Sequence, residues 1–183
     1  MSDARKNRDE FRFVHRVPDG DTLTRRVCDS CGFIDYENPK VVVGSVATWE
    51  DKILLCRRSI NPRKGFWTLP AGFLELGEDP QSGALREASE EACARLEIDQ
   101  LLAVYAIPRI SQIQLIYRAR LLDPDVRVGE ETLELGLFEW EEIPWQDIAF
   151  PSVRWALNDH HAVAGLSDFA PRSNPPGEFG DFL

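Results

Sequence analysis

The hydrophobic pattern of the chain changes at Lys40. From Val41-Val42-Val43 to Trp49 the residues read as a strand, Glu50-Asp51-Lys52 as a tight turn, and Ile53-Leu54-Leu55-Cys56 as the returning strand. Asp79-Pro80 predicts the start of a helix, with Asp79 as N-cap and Pro80 at the first helical position. Read from Leu85, the residues Leu85, Ala88, Ala92 and Leu96 form one stripe, and Glu87, Glu90 and Glu91 fall on the opposite side. Strands are expected at 101–107 and 112–121; in the second, Ile113, Leu115, Tyr117 and Ala119 alternate with more polar neighbours. A loop over 123–132, a strand near 134–140 and a helix opening near Pro151 with Val153, Trp155, Ala156 and Leu157 complete the pattern. Strands and helices interleaved in this way indicate an α/β or α+β domain with helices covering a sheet.

The two ends differ from this middle. Residues 1–10 read as disordered, and 11–38 as a short module with a turn at Pro18-Asp19-Gly20 and a Cys28-x-x-Cys31-Gly32 knuckle, closed by Asn38-Pro39. The segment from about 165, rich in Pro, Gly, Asp and Phe, is expected to be loosely ordered.

The predicted acidic helix face is chemically unusual. Glu87 and Glu91 are four residues apart and Glu87 and Glu90 three, so three carboxylates crowd one patch. Like charges at this spacing destabilise a bare helix, whereas a hard cation such as magnesium among the oxygens makes the arrangement favourable. On the helix alone, a solvated acidic face explains the run better, as it does for most glutamate runs. The preceding segment Trp67-Thr68-Leu69-Pro70-Ala71-Gly72-Phe73, leading to Gly77-Glu78, brings a glycine turn and two aromatics to the patch.

Composition narrows the partners. With 183 residues the chain suits one domain plus a small appendage, and 43% hydrophobic and 28% charged residues are ordinary for a globular protein. A formal net charge of −10 disfavours nucleic acid and anionic membrane as partners, yet admits a small anionic substrate where a divalent cation reverses the local field. No apolar run approaches the roughly 20 residues of a bilayer span, and MSDARKNRDE is not a secretory signal. Four cysteines (Cys28, Cys31, Cys56, Cys93) do not make a disulfide framework, so a reducing, cytoplasmic setting is expected.

The run Gly72, five residues, Glu78, seven residues, Arg86-Glu87-Ala88-Ser89-Glu90-Glu91-Ala92 resembles the Nudix box G-x5-E-x7-R-E-U-x-E-E-x-G-U, with U apolar. Six of seven fixed positions agree across 23 residues. The second glycine is replaced by Cys93, which is small and is expected to fill a contact between helix and core. The resemblance implies a Nudix α/β/α sandwich, a mixed β-sheet flanked by helices, over residues 39–163. A degenerate zinc-ribbon-like hairpin module occupies 1–38 and a C-terminal tail 164–183. It also implies Glu87, Glu90 and Glu91 as ligands of Mg²⁺ or Mn²⁺, with Gly72 letting the backbone approach the metal. Arg86 would orient Glu90 or pair with Glu78, and an extra base would come from Glu131 or Glu134. The expected catalytic set is thus Glu91, Glu90, Arg86 and Glu134.

The likeness extends over roughly 14–160, to the Nudix group with an N-terminal zinc ribbon that hydrolyses ADP-ribose, FAD or NADH-type dinucleotides. It is carried by Pro18-Asp19-Gly20, the Cys28–Cys31 knuckle, Asn38-Pro39-Lys40, Ile107-Pro108, Phe138 before Glu142-Ile143-Pro144, and Ala149-Phe150-Pro151-Ser152. Where the ribbons of that group carry a second C-x-x-C, this chain has Lys6 and Asp9. Only Cys28 and Cys31 remain, with His15 a weak third candidate, so zinc is expected to be absent. For the substrate, Arg57 or Arg58 is expected to meet phosphate. Phe66, Trp67, Phe73 and Tyr105 are candidates for stacking on a base, at least two of them expected in the core instead. A nucleotide is the expected partner, and a homodimer is compatible with the resemblance. Two alternatives stand beside this reading: a nucleoside triphosphate pyrophosphohydrolase and a non-catalytic nucleotide-sensing Nudix domain.

Overall fold

The computed structural model describes residues 12–180, and the chain divides into two compact units between Asn38 and Pro39. In the first, strands β1 (Phe13–Arg16), β2 (Arg25–Cys28) and β3 (Ile34–Asp35) form a small antiparallel sheet in that order. Lys6 and Asp9 lie outside the described residues.

The second unit is built on β4 (Lys40–Trp49), β5 (Lys52–Arg58), β6 (Trp67–Thr68), β7 (Ala71–Phe73), β8 (Leu96–Ile107), β9 (Gln112–Leu121) and β10 (Thr132–Phe138). Its strand order is β10-β5-β4-β9-β8, with β6 paired to β5 and β7 to β4. Only β4 and β9 run parallel, so the sheet is mixed. Helices α1 (Pro80–Ala92) and α2 (Pro151–Ala162) cover it. Side chains of a strand alternate between faces, and the two buried clusters follow that alternation. Val46, Ile53, Leu55 and Ile116 pack with Val153, Ala156 and Leu157 of α2. Their neighbours Ala47, Leu54, Cys56 and Ala119 pack with Ala88 and Ala92 of α1. The helices therefore lie on opposite faces, as the sandwich requires.

Helix α1 begins as its sequence dictates. The Asp79 carboxylate accepts the Gln81 and Ser82 amides, both at 3.1 Å, ahead of Pro80. Its buried stripe is Ala84, Ala88 and Ala92, small enough to bring the helix close to the sheet, with Leu85 only partly covered. The helix stops at Ala92, so Leu96 is the first residue of β8 and not part of the helical stripe. The cause is Cys93, which adopts the left-handed conformation at φ 48° and donates its amide to Ser89 O at 2.9 Å. Cys93 is exposed and fills no contact between helix and core, contrary to expectation. The box position needs a left-handed backbone here, which explains glycine far better than size does. The loop before β10 completes the cap: Gly129 N donates to Glu91 O at 3.1 Å and Arg127 N to Ala92 O at 2.9 Å.

The C-terminal segment is also unlike the expected loose tail. Arg172 pairs with β8 through its amide to Leu102 O at 2.8 Å and its carbonyl from Val104 N at 2.9 Å. Low apolar content limits what a segment can bury by itself, but this one borrows hydrogen-bond partners from a sheet edge. Among the described residues no helix is long and apolar enough to cross a membrane.

Relieving the left-handed strain at the helix end should stabilise the domain. Cys93→Gly is expected to raise the urea-unfolding free energy by about 1 kcal/mol at unchanged slope, read from the shift in midpoint.

Candidate active site

Strand β7 brings the box loop against β4, with Gly72 opposite Val43 and Ala71 opposite Gly44. Helix α1 crosses directly behind it. A Cβ at Gly72 would overlap the whole carboxylate of Glu87, so only glycine admits that side chain at the strand. One helical turn on, the Glu91 carboxylate accepts the Ala71 amide at 3.2 Å. Glu87 and Glu91 are thereby drawn inward, to 9% and 7% exposure, although the helix pattern alone assigns them to the polar side.

Arg86 organises the rest. Its Nε and Nη2 grip the two oxygens of Glu78 at 2.9 and 3.0 Å, and Nη1 donates to Glu87 at 2.8 Å and Glu90 at 2.9 Å. Nη2 also donates to Phe73 O at 3.0 Å, so all five guanidinium donors are used. Glu78 in turn accepts the Glu75 amide at 3.1 Å, which fixes the loop between β7 and the helix.

The electrostatics follow from this division of partners. Arg86 holds the Glu78 carboxyl below its usual range. Burial pushes Glu87 up, with Arg86 opposing. Burial raises Glu91 to about 8 against the Ala71 amide, with the Glu87 charge adding to the rise and Arg58 opposing it. Among the described residues, Glu91 is thus a buried carboxylate with one backbone donor and no basic side chain bonded to it.

These groups face a cleft of about 1230 Å³ within the second unit. Glu75, Glu87, Glu90, Glu91, Glu130 and Glu131 supply its acidic side, and Arg58, Arg86 and Arg109 its cations. Val42, Leu69, Ile107, Ile110 and Phe150 contribute apolar wall. Arg58 stacks over Phe150 at 5.1 Å and donates to Pro62 O at 2.9 Å. Among the described residues no three Cys, His, Asp or Glu side chains converge closely enough to enclose an ion.

Gly72, Arg86, Glu87, Glu90, Glu91, Arg58, Phe73 and Glu131 are brought together at the cleft. Four expected site residues are not. Arg57 donates to Gly65 O at 2.8 Å and pairs with Glu134 at 3.0 Å, opposite it on β10, and neither lines the cleft. Glu131 reaches the cleft because it lies in the loop, before the strand pairing that commits Glu134. Trp67 packs edge-on against Phe138 at 5.0 Å in the core. Tyr105 is fully buried, its hydroxyl donating to Asp159 at 2.6 Å. Phe66, a further stacking candidate, lies under Arg63 and outside the lining.

Sequence reasoning missed Glu130, Arg109, Gln112, Gln114 and Phe150. Gln112 and Gln114 are the polar half of the alternation that marks β9, and Arg109 follows the strand-ending Pro108; both were readable signals.

A family model described as NUDIX domain matches residues 38–156, and one described as Nudix N-terminal matches 12–37. The chain belongs to the Nudix family and is an enzyme of its pyrophosphohydrolase class. A crystal structure of a NUDIX hydrolase from Nitrosomonas europaea is 46% identical and superposes with a TM-score of 0.85, covering 92% of this chain and 97% of that one. An ADP-ribose pyrophosphatase of Methanocaldococcus jannaschii is 31% identical over 113 residues, which is 60% of this chain and 67% of the relative. A MutT-like protein of Streptomyces ambofaciens is 38% identical over 102 residues, 56% of this chain and 64% of that protein. The chain thus spans about two thirds of the length of these two relatives.

No third Cys, His, Asp or Glu groups with Cys28 and Cys31 among the described residues, and a tetrahedral site needs four ligands. His15 sits on β1 opposite Arg26. The Cys28 thiol is lowered to about 7, chiefly by its contact with Ser30 Oγ at 3.2 Å.

Lysine cannot replace the fork of Arg86, because an ammonium is a point charge with three donors. Arg86→Lys is expected to lower kcat by about a hundredfold or more through misplaced carboxylates, measured by steady-state kinetics on a protein whose circular dichroism is unchanged.

Proposed function

We propose that this enzyme hydrolyses the pyrophosphate bond joining a nucleoside monophosphate to a second phosphorylated group, with ADP-ribose, FAD and NADH-type dinucleotides as the substrate class, and that it requires Mg²⁺ or Mn²⁺. The observation that carries the reading is the cluster of Glu87, Glu90 and the buried Glu91 on one wall of a cleft that also holds two further arginines. Glu87, Glu90 and Glu91 would hold the divalent ion, and the missing side chain at Gly72 lets the Glu87 carboxylate lie against β7. When bound, such an ion supplies Lewis-acid stabilisation of charge on the phosphoryl oxygens.

The remaining steps belong to the chain's own side chains. Arg58 and Arg109 hold the phosphate oxygens, Arg58 kept in place by Phe150 and by Pro62 O. Phe73, half exposed on the cleft with Lys40 Nζ 5.4 Å from its ring centre, offers a stacking surface for a base. A carboxylate oxygen of Glu131 accepts a proton from the attacking water. The water oxygen forms a bond to one phosphorus as the bridging P–O bond breaks, and the bridging oxygen leaves on the other phosphate. The products are two phosphomonoesters, AMP and ribose 5-phosphate from ADP-ribose or AMP and FMN from FAD. The relative named as an ADP-ribose pyrophosphatase supports this class. A complete carboxylate set supports catalysis over a purely sensing role.

A hydrolysis panel with product identification tests the substrate class. Release of inorganic pyrophosphate from nucleoside triphosphates, at far higher kcat/KM than for any dinucleotide, would overturn it. In the same panel Glu91→Gln should lower kcat about a thousandfold. The sign on stability is opposite. A carboxylate whose folded-state pKa is raised destabilises the fold above its unfolded value, so at pH 7 without divalent ion the variant should melt no lower than wild type.

A further inference from the structure

The segment 172–180 lies beyond the family match, which ends at residue 156, and no role is assigned to it by that match. It is nevertheless fastened tightly to the strand that leads into the cleft. Arg172 makes a parallel bridge to Ala103. The Asn174 side chain then accepts the Ala106 amide and donates to the Ala106 carbonyl, both at 2.8 Å, as a neighbouring strand would. The Asn174 amide also donates to Glu178 O at 3.0 Å, and the Glu178 carboxylate accepts Trp155 Nε1 of α2 at 2.6 Å. Past these ties the chain reaches Gly180, which is buried, left-handed at φ +77°, and seated on Ile107. A Cβ there would lie 2.5 Å from Ile107 Cδ1, and the left-handed backbone itself favours glycine.

Gly180 and Ile107 both line the cleft, and Ile107 is followed by the turn that carries Arg109 and Ile110 into it. Across the sheet, Ile107 pairs with Gln112, Gln112 with Lys40, and the next turn of β4 carries β7 and the box loop. The segment therefore lies on the outer edge of β8, beyond β9 and β4, and reaches the cleft through Gly180 on Ile107.

We propose that residues 172–180 form a strap that walls the β8 end of the cleft and binds one half of a diphosphate-linked substrate, with Asn174 and Glu178 as positioning residues. This rests on the function proposed above. The strap braces Ala106 and Ile107, so the turn holding Arg109 and Ile110 keeps its place and the substrate half beside it meets a preformed wall. Such preorganisation contributes to binding through a lower ordering cost.

The test is product inhibition in the full-length enzyme. AMP and ribose 5-phosphate each occupy one half of the cleft, and their inhibition constants read the halves separately, while KM for ADP-ribose reads both. In Asn174→Ala and Glu178→Ala, assayed well below their melting temperatures, KM for ADP-ribose and the inhibition constant of one product should rise about tenfold, with the other product far less affected. Glu178→Gln, which keeps an acceptor for Trp155 Nε1, should restore wild-type values. Equal weakening of both products, or a fall in melting temperature with neither constant changed, would show a merely structural strap and overturn the proposal. A wild-type enzyme that cleaves no diphosphate-linked substrate is a separate result, which removes the function reading and this proposal with it.

Discussion

The arrangement of this site depends on one guanidinium. Arg86 uses all five of its donors on three carboxylates and one carbonyl, and those partners come from the end of β7, the loop after it and α1 itself. Glu87, Glu90 and Glu91 would repel one another on an isolated helix. A planar cation with fixed geometry offsets part of that repulsion and sets where two of the three carboxylates point. It does not reach Glu91, whose neighbours are the Ala71 amide and the buried wall of the cleft.

That omission has a physical consequence. A half-compensated cluster in a poorly solvated cleft disfavours its own ionised form, which is why burial raises both Glu87 and Glu91. The fold tolerates the cost because its other elements hold α1 in place. The Asp79 cap secures one end, the loop amides of Arg127 and Gly129 the other, and the alanine stripe seats the helix on the sheet. Local disfavour kept in place by surrounding structure is common at functional sites. Here it gathers three carboxylates on one wall of the cleft, which is what the proposed cation site needs.

Much of this was legible in the sequence, for identifiable reasons. The start of α1 was readable because Asp79-Pro80 is a local signal, and the carboxylate cluster because its spacing is local too. The mixed sandwich followed from the resemblance to the Nudix box. What failed was long-range. Whether Arg57 or Arg58 meets the cleft depends on the pairing of β5 with β10, where Glu134 faces Arg57. Trp67 and Tyr105 are amphipathic, and only the packed structure shows that Phe138 and Asp159 take them. The inward turn of Glu87 and Glu91 depends on a strand amide and a missing Cβ at Gly72, neither of which helical periodicity contains. The C-terminal segment was unreadable because its order is lent by the edge of β8 and not by its own composition.

The central claim is that the carboxylates of α1 form a divalent-cation site, two of them oriented by Arg86. Titration of Mn²⁺ followed by the electron paramagnetic resonance signal of the free ion measures it directly, without substrate. Wild type should take up the ion saturably. A Glu87→Gln, Glu90→Gln, Glu91→Gln triple variant that keeps its melting temperature should bind more than about a hundredfold more weakly. Equal affinity in the folded triple variant would contradict the account.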